Sequence, residues 1–134
     1  MSVRAYKITC SILACLLVWS VWKYLSLRGQ IVTAYFISNQ ARHLRNDIDI
    51  ASSGVVVSRN AGAPSDRDQV LTDLKWYLDY YDQRTNSLFG STVLFLTSTE
   101  RQYVVRDAIM YLRRGSTNDY GDDPYEWLRH EWAH

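Results

Sequence analysis

Cysteine is scarce: Cys10 and Cys15 lie close together in one apolar run, so the rest of the chain carries no thiol and gives no sign of its redox compartment. Acidic residues are missing from the first 46 positions, where Arg4, Lys7, Lys23, Arg28, Arg42 and Arg45 stand without a negative counterpart. From Asp47 onward nine basic side chains face fourteen acidic ones, a balance of −5 hidden within the overall net charge of +1. A positive first part followed by a negative remainder suits anionic lipid headgroups beside the first part. It disfavours nucleic acid, because the folded part has no net positive charge with which to displace counterions. There is also no P-loop, dinucleotide glycine pattern, nucleophile elbow, internal repeat or low-complexity segment.

What the chain does have is apolar and aromatic mass. Its 134 residues are 47% hydrophobic and 13% aromatic, too much for a disordered tail, so the domain is expected to fold. Residues 8–27, ITCSILACLLVWSVWKYLSL, carry one charge, Lys23. At about 1.5 Å per residue such a helix spans the roughly 30 Å hydrocarbon core of a bilayer. Trp19, Trp22, Lys23, Tyr24 and Arg28 mark its exit, where aromatic rings favour the headgroup level and a lysine can snorkel. A cleaved signal peptide is a weaker reading, since KYLSLRGQ offers no small-residue cleavage pattern, and a lipoprotein site at Cys15 has too little apolar sequence before it. Ser11, Ala14, Cys15 and Ser20 are small enough to admit a neighbouring helix. The expected location is a membrane, crossed once, with residues 1–7 as a tail kept inside and the domain outside.

About a hundred residues remain, enough for one domain. In residues 28–50, a membrane-proximal segment, Ala34, Ile37, Ala41, Leu44 and Ile48 recur at three-four spacing along one helical seam. That seam faces either its own domain or a partner helix. Residues 51–134 form the small helical domain. Its opening, around Val55, Val56 and Val57, reads as a loop with room for one short strand or strand pair. Ser65 with Asp68 makes a capping box, and Val70, Leu71, Leu74, Tyr77, Leu78 and Tyr81 form the buried stripe of the helix that follows. Residues 88–96 are apolar but too short to cross a bilayer, which predicts a buried helix or strand. Thr97 with Glu100 makes a second capping box ahead of Val104, Val105, Ala108, Ile109 and Leu112, with Arg113 and Arg114 in the last turn and Gly115 as the stop. Asp123, Pro124 and Glu126 open a short terminal helix. The fold class is therefore mainly α.

The sharpest chemical signal is His130-Glu131-Trp132-Ala133-His134. On a helix, histidines four apart share a face and can hold one zinc ion with the glutamate as general base. Over these five residues the chain resembles the zinc-binding signature of the zincin metalloproteases. The resemblance implies a membrane-tethered zinc-dependent hydrolase with His130 and His134 as metal ligands. That pattern supplies a third ligand downstream; here the remaining histidine is His43. The plain alternative needs no cofactor: Trp127, Leu128 and Trp132 dock an amphipathic tail while the histidines face water. Asn118, Asp119, Asp122 and Asp123 are oxygen-rich enough for calcium but lack the EF-hand pattern, and read better as a turn and helix cap.

No complete catalytic constellation emerges, so the leading expectation is a non-enzymatic single-pass accessory or structural subunit of a larger membrane complex. It would contact the bilayer and other membrane subunits, or a second copy of itself, through Trp76, Tyr80, Trp127, Trp132 and the seam from Ala34 to Ile48. A small membrane-anchored regulator of an envelope process is the other non-enzymatic alternative.

Overall fold

A computed structural model of the chain describes residues 3–54, 65–87 and 90–132, with side chains from residue 6. Four helices make up the described residues: α1 (Val3–Ser52), α2 (Asp66–Thr85), α3 (Gly90–Arg114) and α4 (Pro124–Glu131). Among them there is no strand, so the strand pair is not borne out there; Val55, Val56 and Val57 lie outside the described residues.

α1 is one helix of 50 residues. It passes through residue 28 without a break, because the segment has no proline and a single glycine, Gly29, is tolerated inside a helix at a cost of about 1 kcal/mol. The Thr33 hydroxyl donates to the Gly29 carbonyl at 3.0 Å. Along its length the environment changes. From Ile8 to Leu27 twelve large apolar or aromatic side chains are each about half exposed or more. From Ala34 the seam read in the sequence is buried: Ile37 and Leu44 are 1% exposed. The stretch from Tyr6 to Ser52 is one helix long and apolar enough to cross a membrane. At about 25 cal/mol per Å² of apolar surface, leaving those twelve side chains in water would cost upwards of ~10 kcal/mol, comparable to the whole stability of a small domain. The first half of α1 therefore demands a cover that the described chain does not supply.

The other helices assemble on the second half of α1. Ser65 caps α2 as its sequence indicates: its side chain accepts from the Asp68 amide at 3.1 Å, and Asp68 reaches back to the Ser65 amide. α2 then runs back toward the exposed half, bringing Tyr80 against Phe36 at 5.0 Å between ring centroids. α3 turns again and runs alongside α1, with Ser38 donating to Glu100 and Tyr111 reaching the level of Ala51 and Ser52. The three meet around one core that includes Leu44, Leu74, Leu78, Ala108 and Leu112. α4 closes the open side of α2 and α3 with Trp127, fully buried, which removes roughly 150–250 Å² of aromatic surface from water.

Two expectations for α3 are corrected. The helix begins at Gly90, two turns before Thr97, so Thr97 is no cap: it is buried and its hydroxyl donates to the Val93 carbonyl at 2.6 Å. Glu100, freed from a capping box, holds Ser38 of α1. The apolar run is not buried either. Within its described part Gly90 and Val93 face the core, while Leu94, Phe95 and Leu96 are 47, 82 and 52% exposed; Leu88 and Phe89 lie outside the described residues.

Gly90 makes the tight return from α2 to α3. A Cβ there would sit 1.9 Å from the Thr85 carbonyl oxygen, with backbone on both sides of the clash. Gly90→Ala should therefore destabilise the domain by about 1–3 kcal/mol in chemical denaturation. Gly29→Ala, where a Cβ meets nothing within 4 Å, should lose none.

Candidate functional site

The three strands of chemical suspicion in the sequence, namely the terminal histidines, the acidic loop and the aromatic surface, fall in different places.

At the end of the bundle farthest from the exposed half of α1, Arg67 on the first turn of α2 grips Glu131 on α4 with two parallel bonds, Nε and Nη2 each donating at 2.7 Å. Its Nη1 donates at 3.0 Å to the Leu112 carbonyl in the last turn of α3, which also accepts the Gly115 amide at 3.2 Å. One guanidinium thus ties α2, α3 and α4 together, in the bidentate geometry that makes arginine–carboxylate pairs strong. Gly115 leaves room for it: a Cβ there would stand 2.6 Å from Arg67 Nη1. Gly115 does end α3, but for close approach rather than for a left-handed backbone.

That clasp corrects the role the zincin-like string implies for Glu131. Both of its oxygens are occupied by Arg67, so it is a structural acceptor and not a base aimed at a water. His130 lies flat on Tyr120, with centroids 4.5 Å apart, and its Nε2 is 3.7 Å from Glu126. Ala133 and His134 lie outside the described residues. Among the described residues no group of three histidine, cysteine, aspartate or glutamate side chains is placed to hold a metal ion.

The acidic loop is a turn and a cap. Arg113 Nε lies 3.0 Å from Asp119 and Nη2 lies 3.1 Å from Asp122, while Asp123 accepts the Tyr125 amide at 2.9 Å as N-cap of α4. The Gly121 amide, donating at 2.9 Å, and then Arg113 hold the Asp119 carboxyl below its ordinary pKa. Gly121, at φ 78°, is the residue the turn requires, and its carbonyl accepts the indole of Trp127 at 2.8 Å. Tyr125 donates to Asp82 on α2; partial burial, then that carboxylate, push its pKa up to about 12.

The aromatic surface divides into used and unused parts. Ala34, Ile37, Ala41, Leu44 and Ile48 are buried under α2 and α3, and Trp127 in the chain's own core. Tyr80 is half-buried between Phe36 and the Arg84 guanidinium, 5.2 Å above its ring. Trp76 remains 70% exposed and Trp132 43%; the Lys75 ammonium lies 6.0 Å from the Trp132 ring and 2.8 Å from Asp79. Trp19, Trp22, Lys23, Tyr24 and Arg28 are all exposed on α1, with Lys23 5.3 Å from the Trp19 ring. Sequence reasoning missed the two buried tyrosines as a feature. The hydroxyls of Tyr77 and Tyr81 have no hydrogen-bond partner among the described residues, and burial, with Tyr81 and Glu100 adding to it, drives the Tyr77 pKa far up. They were readable only as members of an apolar stripe.

Comparison with protein families, with curated proteins and with solved structures finds no match for the chain.

The clasp predicts how the terminal motif responds to change. Arg67 and Glu131 are one quarter or less exposed, so Arg67→Ala should cost about 2–3 kcal/mol and Glu131→Gln about 1 kcal/mol in thermal denaturation. A strong chelator should leave the midpoint of the parent protein unchanged. A chelator-induced drop would restore a metal to this end of the bundle.

Proposed function

We propose that the chain is a non-enzymatic accessory or structural subunit of a larger membrane protein complex, anchored by a single pass of α1 and docking through its helical domain. One observation carries the reading: the same helix that leaves a bilayer-length apolar stretch bare supplies the core seam of the bundle. Anchor and domain are then a single rigid element, an arrangement suited to holding a surface at a fixed height and orientation over a membrane. The short tail carrying Arg4 and Lys7 stays inside and the bundle lies outside in this reading, because the opposite insertion would carry that charged tail across the bilayer; Lys23, Arg28, Arg42 and Arg45 pull the other way.

The docking face is the exposed part of the aromatic set, Trp76 and Trp132, with the charged Lys75 and Asp79 on the same helix as Trp76. Exposed tryptophans flanked by charges are the residue types that dominate interface energetics. The occupation of Glu131 by Arg67 favours this reading over a tethered zinc hydrolase.

Purification of the full-length protein in mild detergent should bring down companion membrane chains at fixed stoichiometry. Trp76→Ala should reduce that recovery about tenfold or more without moving the thermal midpoint, since a side chain so exposed contributes little to the fold. Isolation of the chain alone, from the same membranes, would contradict the proposal.

A further inference from the structure

We infer that the first two turns of α3 are a second membrane contact: Leu94, Phe95 and Leu96 lie in the headgroup layer of an anionic bilayer beside the exit of α1. The inference rests on the reading of α1 as a membrane anchor.

Residues 85–99 form fifteen consecutive positions without a charge, between Arg84 and Glu100. Leu94, Phe95 and Leu96 leave the helix at successive steps of about 100°, so the start of α3 presents apolar side chains well outside the face it buries, with the uncharged Ser91 and Thr99 exposed beside them. Large apolar side chains grouped on an uncharged, exposed surface mark a contact with lipid or with another protein. No described part of the chain covers these side chains, and Phe95 is 82% exposed.

Position selects lipid. Thr92 lines one cavity with Trp22, Lys23, Tyr24 and Leu27, the aromatic end of the proposed span. The pairing of Ser38 with Glu100 sets the register of the two parallel helices. Phe95 then lies level with residue 33, six residues or about 9 Å beyond Leu27. The headgroup layer adds roughly 5–8 Å on each side of the hydrocarbon. Side chains on a helix lean toward its N-terminus, and the N-terminus of α3 is its membrane-proximal end, so Phe95 and its neighbours lean into that layer. On α1, Ile31, Val32 and Tyr35 are exposed at the same level and extend the apolar surface. The charges at this end complement anionic lipid: Lys23 and Arg28 are exposed on α1, and Arg84 ends α2.

The test places an environment-sensitive fluorophore on single cysteines of the full chain in vesicles of phosphatidylcholine and phosphatidylglycerol. The sites are native Cys15 (with Cys10→Ala), Phe95→Cys and Met110→Cys (both with Cys10→Ala and Cys15→Ala). Lipids spin-labelled near the headgroup quench at the level proposed for position 95, lipids spin-labelled deep in the acyl chain quench at the level of position 15 inside the span, and iodide quenches from water. The expected result is strong lipid quenching at positions 15 and 95, at least twofold above position 110, with position 95 protected from iodide. Quenching at position 15 while position 95 stays open to iodide overturns the inference and leaves the anchor standing. Protection of position 95 from both quenchers also overturns it, in favour of a protein cover. Absence of lipid quenching at position 15 removes the anchor and the inference together.

Discussion

The packing of Ala34, Ile37, Ala41, Leu44 and Ile48 under α2 and α3 is the contact on which the rest of the molecule depends. Small and branched side chains alternate along this seam, letting two helices approach α1 closely while Ile37 and Leu44 fill the space between them. Each fully buried aliphatic contributes about 1.5–3 kcal/mol, so the seam alone accounts for stability on the scale of a small domain. Because it lies on α1, the core of the bundle is built on the same helix that carries the exposed apolar stretch. Residues before Ala34 continue the same helix with the same apolar character but without cover among the described residues, so one element carries both the core seam and the stretch long and apolar enough to cross a membrane.

Around the core, polar groups do the locating. Ser38 with Glu100 sets α1 against α3, and Tyr125 with Asp82 sets α4 against α2. Arg67 joins the ends of α2, α3 and α4 through Glu131 and the Leu112 carbonyl. Such groups are costly to bury without partners and therefore specify register more than they add net stability. Arg113 does the same at the surface, drawing Asp119 and Asp122 into one turn so that Trp127 enters the core with its indole N–H satisfied.

Much of this was legible in the sequence because it is local. The six apolar positions of α2 and the five of α3 are buried as their spacing indicates, and Ser65 and Asp123 cap their helices with the side chains named. Thr97 misled because a threonine followed three residues later by a glutamate has the same pattern inside a helix as at its start; the helix that already runs from Gly90 and the pairing of Glu100 with Ser38 distinguish them. The apolar run before it misled for a related reason, since exposed and buried leucines look alike until the neighbouring surface is known. The histidine string was legible as a motif but not as a site. The partner that occupies Glu131 is Arg67, 64 residues earlier, a distance at which spacing carries no information.

The central claim is that α1 is one unbroken helix serving as both anchor and core, and a distance along it tests that most directly. Nitroxide labels at Leu13→Cys and His43→Cys, with Cys10 and Cys15 replaced by alanine, lie on exposed positions 30 residues apart. In lipid nanodiscs, pulsed electron spin resonance should give a narrow distribution centred near about 45 Å, the rise of a continuous helix. A broad distribution at shorter distance would mean a joint near Gly29 and would contradict the account.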